Sequence, residues 1–418
     1  MEEYGFSDYF GIGDIIAHTE GGYIHDDVIS AMTRSWLRGK GEQLRQEDKP
    51  WFMSVNLVNP HDVMYYNTDL PGQTQQSGQA MMRLNREPNN SVYGKHWDIN
   101  LPESRSQSVQ GSGRPAAHLD YRNSRGAMVG VVPVEDARLQ RLNNYYFNCL
   151  RDVDNNIVEI LDELDDLGIA NNTIIIFTAD HGELGGAHGL TGKGANAYRE
   201  QNNVPFTVVH PAFDGNKRCR AVTSHVDIAA TLVSLSGGDA ASLEGLPGKD
   251  ISILLTDPDA AATDELRDGA LYNYNMFAYV DEAFFTGIGK FFADGGLQED
   301  LPNQGFRPNL KKRGAIRSIF DGQYKFSRYY SPLQHHVPKT LEQLLATNDV
   351  ELFDLEHDPL EMNNLATDIG KYGEVIQMMN SKLNLLIENE VGDDEGQMLP
   401  VIKGTDWRLS SSFKDMRL

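Results

Sequence analysis

The chain has 418 residues, of which 40% are hydrophobic and 23% charged, and a formal net charge of -23. That length buries a sizeable core and ordinarily divides into two or three domains. The acidic balance argues against a partner that is nucleic acid or an anionic membrane, since both reward positive surface. No window comes near the roughly 18 uninterrupted apolar residues of a membrane span. Two cysteines, Cys149 and Cys219, exclude a disulfide framework and a multi-cysteine zinc module. Met1–Gly5 do not read as a secretory leader, and the compartment is left open.

In chain order, residues 26–38 read as a helix, with Val28, Ile29, Met32 and Trp36 at helical spacing. Asp26 and Asp27 stand at its start, where acidic side chains favour the helix dipole. Trp51–Val58 reads as a buried strand, ended by Asn59-Pro60-His61-Asp62. Residues 66–130, rich in Gln, Asn, Ser, Gly and Arg, read as a long surface excursion that includes Gly94-Lys95-His96-Trp97. A helix is expected from Asp136 to Leu167, on a stripe that includes Leu139, Leu142, Tyr146, Cys149, Val153, Ile157, Ile160 and Leu164. Cys149 is thereby a core residue, and Gly168 suits the helix C-terminus.

Thr173–Thr178 is an apolar, β-branched run typical of a strand covered on both faces, and residues 204–209 repeat the pattern. Ser224-His225-Val226-Asp227 resembles a capping box opening a helix through Ile228, Leu232 and Leu235. Strands alternating with helices predict a layered α/β domain over residues 1–255 with a mainly parallel central sheet. From about residue 256 an Asp- and Ala-rich linker leads to strand-like Arg313–Phe320 and Gln323–Tyr329 and a helix over Tyr372–Ile387. Residues 256–418 therefore read as a smaller C-terminal α+β domain.

The chemistry gathers where the Ile-rich strand ends, the edge at which open α/β sheets place ligands. There Asp180 offers an anionic oxygen and His181 an imidazole nitrogen, a pair suited to calcium, magnesium or manganese. Glycines 182, 185, 186, 189, 192 and 194 let the backbone turn sharply, and Lys193 brings a compact positive charge for a sulfate or phosphate oxygen. Each residue alone has a plainer reading: an Asp-His turn, a solvated lysine, a capping His188. Their combination after a buried strand is what points to a site.

These residues carry a resemblance. Asn172 through Glu183, on to Lys193 and then Val204-Pro205-Phe206, resembles the metal-and-lysine segment of the sulfatase family, within the alkaline phosphatase superfamily. Asn59-Pro60-His61-Asp62 resembles that family's Pro-His turn, and Ser224 through Gly237 its helix after the sheet. Leu352-Phe353-Asp354-Leu355 with Asp358-Pro359 and Glu361 through Leu365 resembles its C-terminal signature. The resemblance implies an alkaline-phosphatase-like fold and a sulfuric-ester hydrolase in which Asp180 and His181 ligate a divalent metal, usually calcium. It implies that Lys193 holds a sulfate oxygen, that His61 contacts the sulfate or protonates the leaving oxygen, and that His188 lines the pocket.

The family's formylglycine arises from Cys/Ser-x-Pro-x-Arg, which neither Cys149-Leu150-Arg151 nor Cys219-Arg220-Ala221 matches. The N-terminal residues resemble the family only from Gly5-Phe6-Ser7-Asp8 onward, so the chain is expected to be a fragment, inactive by itself. Three readings follow: a sulfatase acting on a small-molecule or carbohydrate sulfate ester, a phosphodiesterase or phosphonate-ester hydrolase of the same superfamily, or a non-catalytic remnant. The oligomeric state is not encoded in any pattern of these residues.

Overall fold

A computed structural model of the chain describes residues 3, 5–11, 19–332 and 337–392. Contacts divide the described residues into two compact units, one within Met1–Glu103 and Gly126–Ile174, the other of Ser104–Arg125 with the described residues from Ile175 to 392. The division does not follow the boundary expected at residue 255: residues 175–255 share a compact unit with those that follow them. The reason is a shared core and shared ion pairs, described below. The end of the expected second domain, residues 393–418, lies outside the described residues.

Helix α1 (Gly21–Trp36) starts five residues earlier than the periodicity indicates. Its first free backbone donors are capped from a distance: Gly22 and Tyr23 each donate to the Asp62 carboxylate at 3.0 Å. Asp26, expected at the helix start, lies inside it and turns back to accept from Val58 N at 2.6 Å and Asn59 N at 2.9 Å. The cap therefore falls to Asp62 and not to Asp26. Trp51–Val58 alternates in exposure as a strand does, but has no ladder partner among the described residues.

Helix α2 (Ala116–Val129) lies inside the expected excursion. Its sequence, AAHLDYRNSRGAMV, has no apolar stripe, so periodicity could not announce it. Helix α3 (Asp136–Asp166) matches its expected range, and Leu139, Leu142, Tyr145 and the fully buried Cys149 join Val63, Tyr66 and Tyr93 in the core of the first unit. The excursion is tied down by polar groups. Buried Gln76 donates to Tyr66 O and Val129 O, and fully buried Arg138 pairs with Asp69 at 2.9 Å.

In the second unit β1 (Ile175–Thr178) pairs with β2 (Phe206–Val209). The pairing is antiparallel, so the strands are where the sequence puts them while their direction differs from the parallel sheet expected. The connection between them is a glycine-rich loop and one helical turn, Arg199–Asn202, rather than a crossover helix laid on a sheet. Phe177 and Val209 are 43% and 54% exposed, so β1 is not covered on both faces among the described residues.

Helix α4 (Asp227–Leu235) begins where the sequence puts it, but only half of the expected box is present: Asp227 accepts back from Ser224 N at 2.8 Å, while the residue before the helix, Val226, gives no side-chain cap. Strands β3 (Ala270–Tyr274), β4 (Ala315–Phe320), β5 (Tyr324–Tyr330) and β6 (Asn348–Asp354) then form an antiparallel meander in that order. Helix α5 (Ile369–Glu390) buries Ile376, Met379, Leu383 and Ile387 against Ile319, Phe326 and Leu352 of that sheet. A second cluster joins Tyr121, Leu184, Leu190 and Tyr198 to Ile316, Tyr329 and Phe353. That cluster is why the loop after β1 belongs with the C-terminal sheet.

Candidate active site

The loop leaving β1 is fixed by hydrogen bonds that leave no room for larger residues. Gly182 N donates to Gln201 O at 2.7 Å, and a Cβ on Gly182 would stand 2.0 Å from Glu200 O. Glu183 Oε1 gathers Gly185 N at 3.0 Å and Gly192 N at 2.6 Å, closing the loop on itself. Buried Tyr121 shares its hydroxyl between the carbonyls of Thr191 at 2.9 Å and Lys193 at 2.6 Å. Gly194 lies against that ring, where a Cβ would come within 2.0 Å, and donates to Gln201 Oε1 at 2.7 Å.

On this frame Asp180 and His181 meet. Asp180 Oδ1 accepts from His181 N at 2.9 Å, and Oδ2 stands 3.3 Å from His181 Nε2. His181 Nδ1 contacts the Gly182 carbonyl at 2.9 Å, and a carbonyl only accepts, so Nδ1 carries the hydrogen. In the neutral ring Nε2 then has its lone pair beside a carboxylate oxygen. Metal-binding histidines are oriented in this way, by a second acceptor on the opposite nitrogen. The two donors fit a divalent cation.

Lys193 is partly buried. Burial pushes its ammonium pKa down, the charges of Asp180 and Glu183 push it up, and Arg125 adds to the lowering. His188 is placed differently from the expectation that it lines a substrate pocket. It is fully buried, its ring stacked on Tyr198 at 3.6 Å and its backbone in the left-handed region at φ 57°. Ser104 and Gln107 hold it there, at 3.0 Å to its N and 2.8 Å to Nδ1. Its ring faces the core, out of reach of a solvent-borne ester.

His61, in the first unit, opens a helical turn over His61–Tyr65 after the cis Asn59–Pro60 bond. Asp26 and Asp62 lock this turn and the start of α1 to each other, and Gly22 is obligatory because a Cβ there would sit 2.3 Å from Asn59 Cγ. Asn59 donates to Tyr93 Oη at 3.1 Å, and Tyr93 donates to Asp152 at 2.8 Å. Sequence reasoning missed Asp26 and Asp62 as supports for the His61 turn, and Tyr121 and Gln201 as supports for the loop after β1. The partners of Asp26, Asp62 and Tyr121 lie tens of residues away, and Gln201 reaches back to Gly194 and Gly182, so no familiar local spacing marks them.

Burial pushes the Asp26 carboxyl up to about 7, opposed by the two backbone donors and reinforced by Asp62 and Asp152. From about pH 4 to 7 the folded state keeps a proton that the unfolded chain has released, so stability falls as pH rises through that window. A shift of this size is worth about 4 kcal/mol at most. Asp26→Asn is expected to flatten the fall; equal slopes in denaturation midpoints at pH 4.5 and 7.5 for both proteins would refute it.

Comparison with known proteins adds an independent observation. A family model described as Sulfatase matches residues 2–238. An endo-4-O-sulfatase of Bacteroides thetaiotaomicron is 26% identical over 266 residues, covering 63% of this chain and 45% of that protein. An N-acetylglucosamine-6-O-sulfatase of the same organism is 23% identical over 280 residues, covering 66% of this chain and 41% of that one. The chain thus spans less than half the length of these curated relatives. The solved structure of a 2-O GAG sulfatase superposes with a TM-score of 0.60 over 93% of this chain and 67% of its own, at 16% identity. That likeness establishes the α/β fold as alkaline-phosphatase-like.

Proposed function

Because the chain belongs to the sulfatase family, we propose that it carries the metal-and-lysine half of a sulfuric-ester hydrolase site. Asp180 and His181 are two of the ligands of a divalent cation, with calcium first among the candidates and magnesium or manganese behind it. The bare Nε2 of His181, 3.3 Å from Asp180 Oδ2, is the observation that supports this most directly. A cation bound there supplies positive charge toward the anionic oxygens of the ester.

Lys193 adds a second positive charge, held on a loop whose carbonyls Tyr121 clamps, so little reorganisation is needed as charge develops on a sulfate oxygen. His61, on its locked turn, contacts the sulfate or donates the proton that the leaving oxygen requires. A formylglycine nucleophile belongs to the same proposal, and neither Cys149, which is buried, nor Cys219 stands in the motif that would make one. The names of the relatives, an endo-4-O-sulfatase and an N-acetylglucosamine-6-O-sulfatase, favour a sulfated carbohydrate as substrate. No helix among the described residues is long and apolar enough to cross a membrane.

The test is hydrolysis of matched sulfate, phosphate and phosphonate esters by the protein expressed from its whole reading frame, with bound metal measured in parallel. Preference for the sulfate ester with calcium retained is expected. Preference for the phosphonate or phosphodiester, or no turnover at all, would replace the proposal by one of the other two readings. Asp180→Ala is expected to abolish calcium retention; unchanged calcium by elemental analysis would remove Asp180 from the ligand set.

A further inference from the structure

A buried cluster in the second unit, made of side chains other than Asp180 and His181, has a donor set of the kind that holds a cation. Its members are His188, Glu200 and Glu361, whose ligand atoms all lie within 4.8 Å of one another. His188 and Glu361 are 0% and 1% exposed, and the Glu200 Oε2 atom is buried although its side chain is partly open.

The protonation pattern around His188 can be read from its neighbours. Gln107 donates through Nε2 to the Met362 carbonyl at 2.9 Å, which turns its Oε1 toward the histidine. That oxygen contacts His188 Nδ1 at 2.8 Å, so Nδ1 carries the hydrogen, and in the neutral ring Nε2 carries the lone pair. Nε2 then faces Glu200 Oε2 across 3.5 Å, and neither atom has a hydrogen-bond partner. Two buried acceptors pointing at each other are costly unless something positive lies between them. Their spacing is close to the roughly 3.4 Å between two donors on a tetrahedral cation with bonds of about 2.1 Å.

Of the three members, Glu361 borders open space. A partly open cavity of about 150 Å³ is lined by Gln107, Arg114, Tyr198, Glu351 and Glu361, with room for ion-bound water. Glu361 is itself held in place, its Oε2 accepting from Arg199 N at 2.7 Å, while its Oε1 carries the buried Lys325 ammonium. Lys325 is thus the built-in competitor for the third ligand.

We propose that His188, Glu200 and Glu361 form a second divalent-cation site, selective for zinc or manganese by its one-nitrogen, two-carboxylate donor set, with Lys325 limiting its affinity. The proposal does not rest on the sulfatase reading, because it concerns different ligands and is read by metal binding alone.

The experiment uses the full chain carrying Asp180→Ala and His181→Ala, which removes the first pair of ligands, titrated with zinc and with manganese by calorimetry. One equivalent of zinc is expected to bind. His188→Gln and Glu200→Gln added separately should each weaken it at least a hundredfold, and Lys325→Met should tighten it at least tenfold. Circular dichroism of each variant establishes folding; if His188→Gln does not fold, Glu200→Gln, altering a partly open residue, carries the test. Loss of zinc binding in the double-alanine parent, binding indifferent to Glu200, or a Lys325→Met protein with no gain would overturn the proposal.

Discussion

Lys193→Ala, in the protein expressed from its whole reading frame, is expected to lower kcat by about a hundred- to a thousandfold while leaving the fold intact. That is the loss typical of removing one preorganised group that stabilises developing charge. The backbone around Lys193 is held by Tyr121 and Gln201 through its own carbonyl and through Gly194, independently of the lysine side chain, so truncation leaves those bonds in place. Steady-state kinetics on a sulfate ester, with thermal unfolding as the control, checks this. Near wild-type kcat would remove Lys193 from the site; a loss confined to KM would make it a binding group with no special contact in the transition state.

The largest effect on stability is expected at Arg267. Its guanidinium, 2% exposed, lies between the fully buried carboxylate of Asp227 and Glu390, donating to Asp227 Oδ2 at 3.1 Å and to Glu390 Oε1 at 2.5 Å. It joins the first turn of α4 to the last turn of α5, and its positive charge is held up by those two partners against its burial. Arg267→Leu leaves two carboxylates in the interior, one of them supported only by the backbone donors Ser224 and Lys249. Breaking a buried pair from one side costs about 3–5 kcal/mol. Chemical denaturation is expected to show a loss of that order at pH 7. A loss under 1 kcal/mol would mean that the pair is replaceable by packing.

Much of this protein is written in local pattern. The long helix α3, the strands β1 and β2 and the helix α5 announce themselves because a stripe every third or fourth residue, or an apolar β-branched run, has one low-energy way to hide its apolar side, while β4 and β5 show as short aromatic- and Ile-containing pieces. The proposed Asp180-His181 and Lys193 site is drawn from the same kind of local pattern, since its glycines and charged groups are compressed into one loop. The antiparallel pairing of β1 with β2, the packing of residues 175–255 with the C-terminal sheet and the inward turn of His188 were decided only by the tertiary structure. So were the capping of α1 by Asp62 and the clamp of Tyr121 on Lys193. Each depends on partners distant in the chain, and a polar group's role is set by whichever donor or acceptor burial places opposite it. Spacing along the chain carries no information about that partner.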